Sequence, residues 1–494
     1  MSPDVDVLVA GAGPVGSMLA ADLVRRGVRV RLVDRAPEAF AGSRAKGVQP
    51  RTLELLDDLG VVDRALAEGG EYPLMGAHLG PLTVPWRMQR RRRPSPDVPY
   101  PNVLLLPQSR TDAILHGHLA SLGGSVEFGT GVDGFDQDNE GVSVALQTAE
   151  RVRCRYLVGA DGGASTVRKL AGLRFAGTTD ESDRMLIADA TVAGLSRNRW
   201  HVWPRAGGRF VAACPLPHGE QFQLMVRLAP EDEPDPSEGA LAERFRSLTG
   251  LSISGVTWSS LFRPNVRIVE RYRAGRVFLA GDAAHVHTPA GAQGLNTGVQ
   301  DAYNLGWKLA QAIAGAPDAL LDTYDGERRP VAARVLGRSS ELYAGLDERR
   351  LSSLFRGDEE RQIKLSYHGG PLAPENGPRT AALRVGDRAP DAPCRGVGIA
   401  RLFDAYRGPH FTALAFGPGA PEALAALSWP AAGAALRRFA VRPRGDMGGE
   451  GTLVDEQGLV ARAYRACDDE LLLIRPDGYV ASVGKPDLGL LAPS

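Results

Sequence analysis

The sequence predicts a protein of mixed α/β and α+β class: a doubly wound α/β domain, an antiparallel sheet inserted into it, and a separate C-terminal domain. Three observations support this prediction. A strand, a glycine-rich turn, a helix and a second strand open the chain; two later strands each end beside a Gly-Asp or Asp-Gly pair; and strands without intervening helices occupy the region between these two strands. A chain of 494 residues is long enough for several such domains.

Composition and charge exclude several classes of protein. Lys+Arg and Asp+Glu both total 58, so the net charge is zero, and no nucleic-acid partner is expected. The run Arg90–Arg93 has no interleaved aromatic residues, which favours a solvated loop. Cys154, Cys214, Cys394 and Cys467 are far apart, which argues against a zinc site or a disulfide framework and suits the cytoplasm. No apolar run approaches the ~18 residues of a membrane span, and no basic leader segment precedes the first strand, so we expect a cytoplasmic protein without membrane contact.

The first thirty or so residues have the pattern of a dinucleotide site. A short apolar strand precedes G-x-G-x-x-G at Gly11, Gly13 and Gly16, a helix follows from Pro14, and the second strand ends at Asp34. The glycines permit a tight turn, close approach of a pyrophosphate and close packing of helix on strand, while the acid accepts ribose hydroxyls. This stretch predicts a dinucleotide site but does not distinguish NAD from FAD.

Two later segments end strands in the same way. Tyr156–Gly159 is an apolar strand that breaks at Asp161-Gly162, and Val277–Ala280 is another that breaks at Gly281-Asp282 before a glycine-rich loop and a helix. A chain that returns to one nucleotide site from three places builds a large bipartite cofactor pocket. A plain NAD-dependent dehydrogenase would leave the two later elements unused.

The remaining chain divides into an antiparallel region and a C-terminal domain. Trp200–Trp203, Phe210–Cys214 and Phe222–Leu228 read as strands separated by turns. The segment GDRAPDAP, before the strands of the tail, resembles the entrance of a thioredoxin-like domain. Cys394 has no partner cysteine two residues away, so packing or dimer contact is a better expectation for this domain than thiol exchange.

We expect four units with the following boundaries. They are a dinucleotide-binding domain at 1–71, 102–180 and 270–345; an inserted antiparallel-sheet domain at 72–101 and 181–269; a helical linker at 346–380; and a thioredoxin-like domain at 381–494. The resemblance described next makes the first unit an FAD-binding domain and the second a substrate-binding domain.

Three motifs together resemble the group A flavoprotein aromatic hydroxylases, the para-hydroxybenzoate hydroxylase-like monooxygenases. They are GAGPVG with Asp34, YLVGADGGASTVR, and FLAGDAAHVHTPAGAQGLNTGVQDAYNLGWKL, and the resemblance covers residues 4 to about 340. SRAKGVQPRTLELLDDLG and the C-terminal domain are similar to the bacterial subfamily that hydroxylates aromatic polyketides. Relatives in that subfamily inactivate rifamycins or tetracyclines, or perform Baeyer–Villiger oxidation.

The resemblance implies non-covalent FAD held by residues at matching positions. These cofactor-binding residues are Gly11, Gly13, Pro14, Val15, Gly16, Asp34, Arg35, Arg44, Gln108, Arg110, Asp161, Gly162, Asp282, Pro289, Gly291, Ala292, Gly294, Leu295 and Asn296. The loop residues Pro289, Gly291, Gly294 and Asn296 are expected to hold the reacting flavin ring, and no side-chain acid or base is assigned. For Arg44 a solvated basic loop remains an equal alternative. Candidate substrate-lining residues are Trp86, Tyr100, Trp203, Phe210, Phe222, Met225 and Pro289, with sheet-core packing as the alternative for each.

The resemblance also implies a reaction. NADPH or NADH reduces FAD, O₂ adds to give a flavin C4a-hydroperoxide, and a polycyclic aromatic substrate takes the terminal oxygen in a dry pocket. Without a second nucleotide domain, hydride transfer requires a flavin that swings outward. His285 and His287 lack nearby acidic or thiol ligands in sequence, so no metal is expected and the two residues are assigned to loop positioning. The alternatives are an antibiotic-inactivating or Baeyer–Villiger enzyme and a non-catalytic flavin-binding scaffold. We expect the protein to be a monomer or a homodimer.

One residue departs from the family pattern. The family usually reads PAGGQGLN, whereas this chain has Ala292 at the second glycine. Two interpretations remain open: the methyl group crowds the inward position of the flavin, or the position does not need a positive φ and tolerates alanine.

Overall fold

The computed structural model describes residues 3–205, 209–229, 231–288, 292–347, 350–446 and 449–491. The strands are β1 Val5–Ala10, β2 Val30–Val33, β3 Gly47–Val48, β4 Gly70–Glu71, β5 Leu74–Leu79, β6 Leu82–Trp86, β7 Leu104–Leu105, β8 Val126–Glu127, β9 Val132–Gln137, β10 Val142–Leu146, β11 Arg151–Gly159, β12 Phe175–Thr179, β13 Met185–Val192, β14 Arg199–Pro204, β15 Phe210–Pro215, β16 Gln221–Arg227, β17 Ile253–Phe262, β18 Asn265–Val269, β19 Arg273–Ala274, β20 Val277–Leu279, β21 His285–Val286, β22 Pro393–Gly396, β23 Ile399–Arg401, β24 Phe411–Phe416, β25 Leu436–Pro443, β26 Thr452–Asp455, β27 Leu471–Ile474 and β28 Val480–Val483.

The helices alternate with strands at the two ends of the chain and are sparse in the middle. They are α1 Pro14–Arg25, α2 Pro50–Leu59, α3 Val62–Glu68, α4 Gln108–Ser121, α5 Thr166–Leu170, α6 Glu238–Thr249, α7 Gly294–Ile313, α8 Ala319–Asp347, α9 Leu402–Tyr406, α10 Ala420–Ala425 and α11 Leu459–Tyr464. Short 3₁₀ turns occupy Gly281–Ala283 and Leu351–Leu354.

The first sheet positions the predicted nucleotide site. Its order is β19-β20-β11-β1-β2-β8, with β10 and β9 added on β11. β19 on β20 and β10 on β11 are antiparallel, whereas β20, β11, β1, β2 and β8 are parallel to one another. Their carboxyl ends therefore meet at one edge, and Gly11, Asp34, Asp161 and Gly281 follow four of these strands at that edge. This confirms the α/β prediction and explains why the glycine motifs converge.

The second sheet is the inserted antiparallel one. Its order is β17-β13-β16-β15-β14-β5-β6, and all pairs are antiparallel except β14 with β5. Helix α6 packs on one face, where Phe245 joins a cluster with Leu186, Phe222 and Trp203. Because side chains alternate along a strand, the opposite face is left to contact the first domain.

The C-terminal domain has a third sheet, ordered β23-β22-β26-β25-β24-β27-β28. The β24–β25 and β25–β26 pairs are parallel, and β24–β27 and β27–β28 are antiparallel. This mixed sheet agrees with the predicted thioredoxin-like domain. One expectation for the connection is wrong: 346–380 is not a helical linker. After α8 ends at Asp347, the described part contains the 3₁₀ turn Leu351–Leu354 and then loops and turns.

Buried ion pairs join the C-terminal domain to the first. Arg475 contacts Glu327 on α8, and Arg388 contacts Glu54 on α2 at 2.5 Å. Each of these side chains is less than a tenth exposed. Removing one partner would leave a buried charge, so the pairs fix how the domains dock. Among the described residues, no helix has the length and apolar character needed to cross a bilayer.

Candidate flavin and substrate site

The N-terminus of α1 offers an anion site at the end of β1. Gly13 is its extended N-cap, Pro14 occupies the first turn, and no acidic residue or capping side chain occupies the open amides. Gly11 has φ +104°, and a Cβ there would lie 2.4 Å from the Ala160 carbonyl oxygen. A Cβ on Gly16 would lie 1.9 Å from the carbonyl oxygen of Gly11. The glycines are therefore required for close packing, and the helix end suits a pyrophosphate.

Asp34 lies beside this turn. Its carboxylate accepts hydrogen bonds from the Ala12 amide at 2.7 Å and the Ala36 amide at 2.8 Å. A carboxylate has about four lone-pair positions, so capacity remains for ribose hydroxyls. Arg35, next in sequence, is exposed.

Helix α4 brings Gln108 and Asp112 to the same region. The Gln108 amide donates to Asp112 Oδ2 at 3.4 Å, and Asp112 Oδ1 is buried without a hydrogen-bond partner among the described residues. Burial, reinforced by the charge of Asp34, raises the pKa of Asp112 to about 7. A buried carboxyl oxygen without a partner fits the approach of a cofactor hydroxyl. Arg110, also on α4, is exposed.

Asp161 is occupied by local structure. One carboxylate oxygen accepts from the Ser165 hydroxyl at 2.5 Å, and the other accepts from the Thr166 amide at 2.7 Å. Gly162 has φ +78°, which turns the chain into α5. The Asp161 side chain therefore caps α5, a contact that the motif alone did not indicate.

The 3₁₀ turn after β20 and helix α7 both pack directly against α1. A Cβ on Gly281 would lie 2.8 Å from Val15 Cγ2, and a Cβ on Gly298 would lie 2.7 Å from the same atom. Val15 thus lies between the 3₁₀ turn after β20 and helix α7. Asp282 in that turn is exposed and lines a cavity described below.

The N-terminus of α7 faces the same cavity. Its N-cap is Gln293, without a side-chain cap, so the first amides, at Gly294 and Leu295, are open. Asn296 is fully buried: its oxygen accepts from the Gln49 amide at 2.7 Å, and its NH₂ group donates to the Gly47 carbonyl at 2.8 Å. The Asn296 side chain thus joins the start of α7 to the segment Gly47–Gln49. Pro289 and Gly291 lie outside the described residues.

The backbone conformation of Ala292 decides between the two interpretations of the departure from the family pattern. Its φ is +53°, in the left-handed region that favours glycine. The interpretation that the position needs no positive φ is therefore wrong. A Cβ on Gly47 would lie 3.0 Å from the Ala292 methyl group, so that methyl group fills space beside the loop that carries Arg44.

A cavity of about 300 Å³ separates the flavin loop from the antiparallel sheet. It is lined by Arg44, Ala45, Lys46, Gly47, Tyr72, Gly163, Ile187, Trp200, Gln223, Met225, Phe262, Asn265, Asp282, Val286, His287, Thr288, Ala292, Gln293, Gly294 and Leu295. Open helix amides form one wall, and aromatic and aliphatic side chains form the other. This arrangement suits a flat polar cofactor beside an apolar ring.

Only one described residue of the predicted substrate set lines this cavity, namely Met225. Trp203 and Phe222 are buried on the opposite face of the sheet, against α6. Tyr100 donates to Asp57 and lines a different pocket, and Phe210 and Trp86 line neither of these pockets.

Several cavity residues were missed by the sequence analysis. Side chains alternate between the two faces of a strand. Trp200 therefore points away from Trp203 on β14, and Gln223 points away from Phe222 on β16. The alternation could have grouped these residues, but it could not say which face meets the cofactor. Lys46 carried no signal beyond being one cation in a loop.

A buried polar cluster joins strand β21 to helices α7 and α8. His285 Nε2 lies 2.6 Å from Asp301 Oδ2, and Arg328 Nε donates to Asp301 Oδ1 at 2.7 Å. Arg328 also donates to the Thr297 carbonyl and to the Tyr367 hydroxyl. Burial acts to raise the pKa of Asp301, but Arg328 and His285 outweigh it, and the pKa falls below its usual range.

These features together fit FAD. The amides of α1, the free lone pairs of Asp34, the unpartnered oxygen of Asp112 and the open amides of α7 form an extended cradle with a ring-sized cavity at one end. That shape matches a dinucleotide with its adenosine at Asp34 and its ring system at α7.

Comparisons with known proteins agree with this cofactor. A family model described as FAD binding domain matches residues 4–339. A flavin-dependent monooxygenase from Mycobacteroides abscessus is 42% identical over 490 residues, with 96% of each chain covered. The solved anhydrotetracycline hydroxylase from Streptomyces rimosus is 32% identical, with a TM-score of 0.75 over 97% of this chain and 96% of that chain. A complex of aklavinone-11 hydroxylase with FAD and aklavinone is 27% identical, with a TM-score of 0.80 over 98% and 96% of the two chains. The chain therefore belongs to the FAD-binding-domain family and is a flavin-dependent aromatic monooxygenase.

Proposed function

We propose that this enzyme hydroxylates a polycyclic aromatic substrate of polyketide type, with NAD(P)H as electron donor and O₂ as cosubstrate. The observation that carries the proposal is the cavity between the α7 amides and the aromatic face of the antiparallel sheet. The names of the relatives support the substrate class, since they include a 6-methylpretetramide monooxygenase at 35% identity and the aklavinone-11 hydroxylase.

The protein's part in the reaction is binding, orientation and exclusion of water. The α1 amides would hold the pyrophosphate of FAD, Asp34 would hold its ribose, and the amides of Gly294 and Leu295 would orient its flavin ring. When bound, FAD supplies the electron transfer and the oxygen activation. The apolar side chains of Ile187 and Met225 would keep water out of the cavity beside the ring.

The remaining assignments follow from the same proposal. We retain the cofactor-binding residues given above and the domain boundaries, except that the described part of 346–380 holds mainly loops and turns and is not a helical linker. Of the predicted substrate-lining residues we retain Met225 and Pro289. Trp200, Gln223 and Phe262 replace the others, namely Trp86, Tyr100, Trp203, Phe210 and Phe222. Arg44 lies over the Phe262 ring at 5.7 Å and faces the cavity, which supports the flavin-rim interpretation over a purely solvated loop. We further propose that the enzyme acts in the cytoplasm as a monomer or homodimer.

Product identification tests the function. The FAD-loaded enzyme is incubated with NADPH or NADH and a panel of polycyclic phenols, and the products are analysed by mass spectrometry and NMR. We expect ring hydroxylation with substrate-stimulated NAD(P)H oxidation. Flavin-loaded protein that shows neither would contradict the proposal and favour a non-catalytic scaffold.

A second candidate is oxidative inactivation of an antibiotic. A rifampicin monooxygenase from Streptomyces venezuelae is 38% identical over 67% of this chain and 69% of its own length. The same cavity would serve either role, so rifampicin and tetracyclines belong in the panel. Insertion of oxygen into a ring, rather than attachment of a hydroxyl group, would identify Baeyer–Villiger chemistry.

A further inference from the structure

Lys46 is a buried lysine on the wall of the substrate cavity. The residue is 7% exposed, and its Nζ lies 4.3 Å from the centroid of the Trp200 ring. No carboxylate forms an ion pair with it in the part of the chain that the structure describes. Burying the charged form of a lysine without a counterion costs free energy, so a bound ligand that carries an anionic group would stabilise it.

A directional hydrogen-bond chain holds Lys46. Its Nζ donates to Gln223 Oε1, and the Gln223 amide donates to Ser43 Oγ at 2.6 Å. Ser43 Oγ in turn donates to Asp189 Oδ1 at 2.5 Å, and the Ser43 amide donates to Asp189 Oδ2 at 2.7 Å. Both oxygens of Asp189 are therefore engaged by Ser43, so the carboxylate does not neutralise Lys46 directly.

The charged and titratable groups around Lys46 do not supply a substitute. Asp189 and Cys214 on the sheet act electrostatically on the amine; both are buried, and neither lines the cavity. Arg44, Asp282, His287 and Tyr72 face the cavity itself. Burial lowers the pKa of Lys46, outweighing the attraction of Cys214 and Asp189. When unprotonated, the amine can donate to Gln223 and keep a lone pair that accepts a proton.

We propose that Lys46 takes the proton of the phenol or enol hydroxyl of the bound substrate and then pairs with the resulting oxyanion. The O–H bond breaks, its electron pair stays on oxygen, and the proton forms an N–H bond on Nζ. The oxyanion makes the aromatic ring more electron-rich and so a better acceptor of an electrophilic oxygen. The inference rests on the proposed function, because it assigns a base to the same cavity.

The test reads the ionisation of a bound phenol directly. The probe is 2-hydroxyanthraquinone, a tricyclic phenol whose phenolate absorbs at longer wavelength than its phenol. Difference spectra are recorded against FAD-loaded protein over the pH range in which the free probe ionises. We expect the apparent pKa of the probe bound to the natural protein to be lower than in water by about one unit or more, a roughly tenfold higher phenolate-to-phenol ratio at a given pH.

Two variants and a control isolate Lys46. Lys46→Met keeps the aliphatic stem, and Lys46→Gln still donates to Gln223 but accepts no proton. Both should bind FAD, as measured by flavin absorbance, and both should lose the shift. Lys485→Met, an exposed lysine in the C-terminal domain, should keep it. A phenolate ratio in both Lys46 variants equal to that of the natural protein would overturn the inference, as would a natural protein that binds no probe or binds it without a shift.

The two proposals fail in different ways. A lysine-dependent shift in the probe's pKa without a hydroxylated product from any phenol would contradict the proposed function but support Lys46 as a base. Hydroxylation with the same pH profile in Lys46→Gln would support the proposed function but contradict the role of Lys46 as a base.

Discussion

His285 on β21 and Asp301 on α7 form a fully buried pair 2.6 Å apart, and Arg328 binds the other oxygen of the same carboxylate. Asp301 thereby links β21 to α7 and, through Arg328, to the Tyr367 hydroxyl. The centroid of the Tyr367 ring lies 4.5 Å from that of the Tyr479 ring in the C-terminal domain, so the contacts that hold β21 and α7 together extend to that domain.

Replacing Asp301 by Asn should be strongly destabilising. The change leaves the buried Arg328 without its counterion, which costs about 3–5 kcal/mol of unfolding free energy. Urea unfolding measures the loss. Asp318→Asn is the matched control, because that carboxylate is 66% exposed in its pair with Arg273, and its loss should cost about 1 kcal/mol or less. Similar costs at both positions would contradict the role of burial.

Ala292→Gly should stabilise the protein. The left-handed φ of +53° strains an alanine and not a glycine, and relief is worth about 1 kcal/mol. Ala310→Gly on α7 should do the opposite by about 0.5–1 kcal/mol, since glycine weakens a helix. Thermal unfolding of both variants checks the signs, and destabilisation by Ala292→Gly would refute the strain argument.

Gly294→Ala should separate folding from flavin positioning. A Cβ there would lie 3.4 Å from His287 Nε2, an ordinary contact, so we expect a change in unfolding free energy within about 0.5 kcal/mol. The same methyl group enters the cavity at the α7 amides, so NAD(P)H oxidation should become uncoupled and release H₂O₂. Peroxide yield per NAD(P)H measures this. Tight coupling would count against the assignment of these amides to the flavin.

Trp200→Leu should weaken substrate binding, because it removes an aromatic face from the cavity wall. We expect a roughly tenfold rise in the Kd of a polycyclic phenol. Phe210→Leu, in the same sheet but outside the cavity, is the control and should leave the Kd nearly unchanged. Equal effects would mean that the predicted residue, Phe210, lines the site after all.

Acid should destabilise the protein through His410. Burial, reinforced by Arg437, lowers the pKa of His410 from 6.5 to about 4. Between these values the unfolded chain binds a proton that the folded chain does not, so stability is present above pH 6.5 and is lost as the pH falls toward 4. The effect approaches about 3 kcal/mol. Unfolding free energies measured across this range should decline less steeply in His410→Gln, and an unchanged decline would contradict the assignment.

The sequence by itself determined the strand–glycine–helix unit at Gly11–Asp34 and the two later strand ends. Local rules suffice there, because a tight turn and close helix packing require glycine at fixed spacing. The choice of FAD over NAD came from the resemblance of the three motifs to a known family, not from these local rules. Two-residue alternation along β14 could also have separated Trp200 from Trp203, although Trp200 was not predicted.

Only the tertiary structure decided which side meets the flavin, because that depends on how the antiparallel sheet docks on the first domain. Docking placed Trp203 against α6 and bound Tyr100 to Asp57, away from the cavity. It also buried Lys46 beside Trp200, where an unremarkable loop cation became a candidate base. Charges and aromatic rings acquire such roles from desolvation and neighbours distant in sequence, which no local pattern encodes.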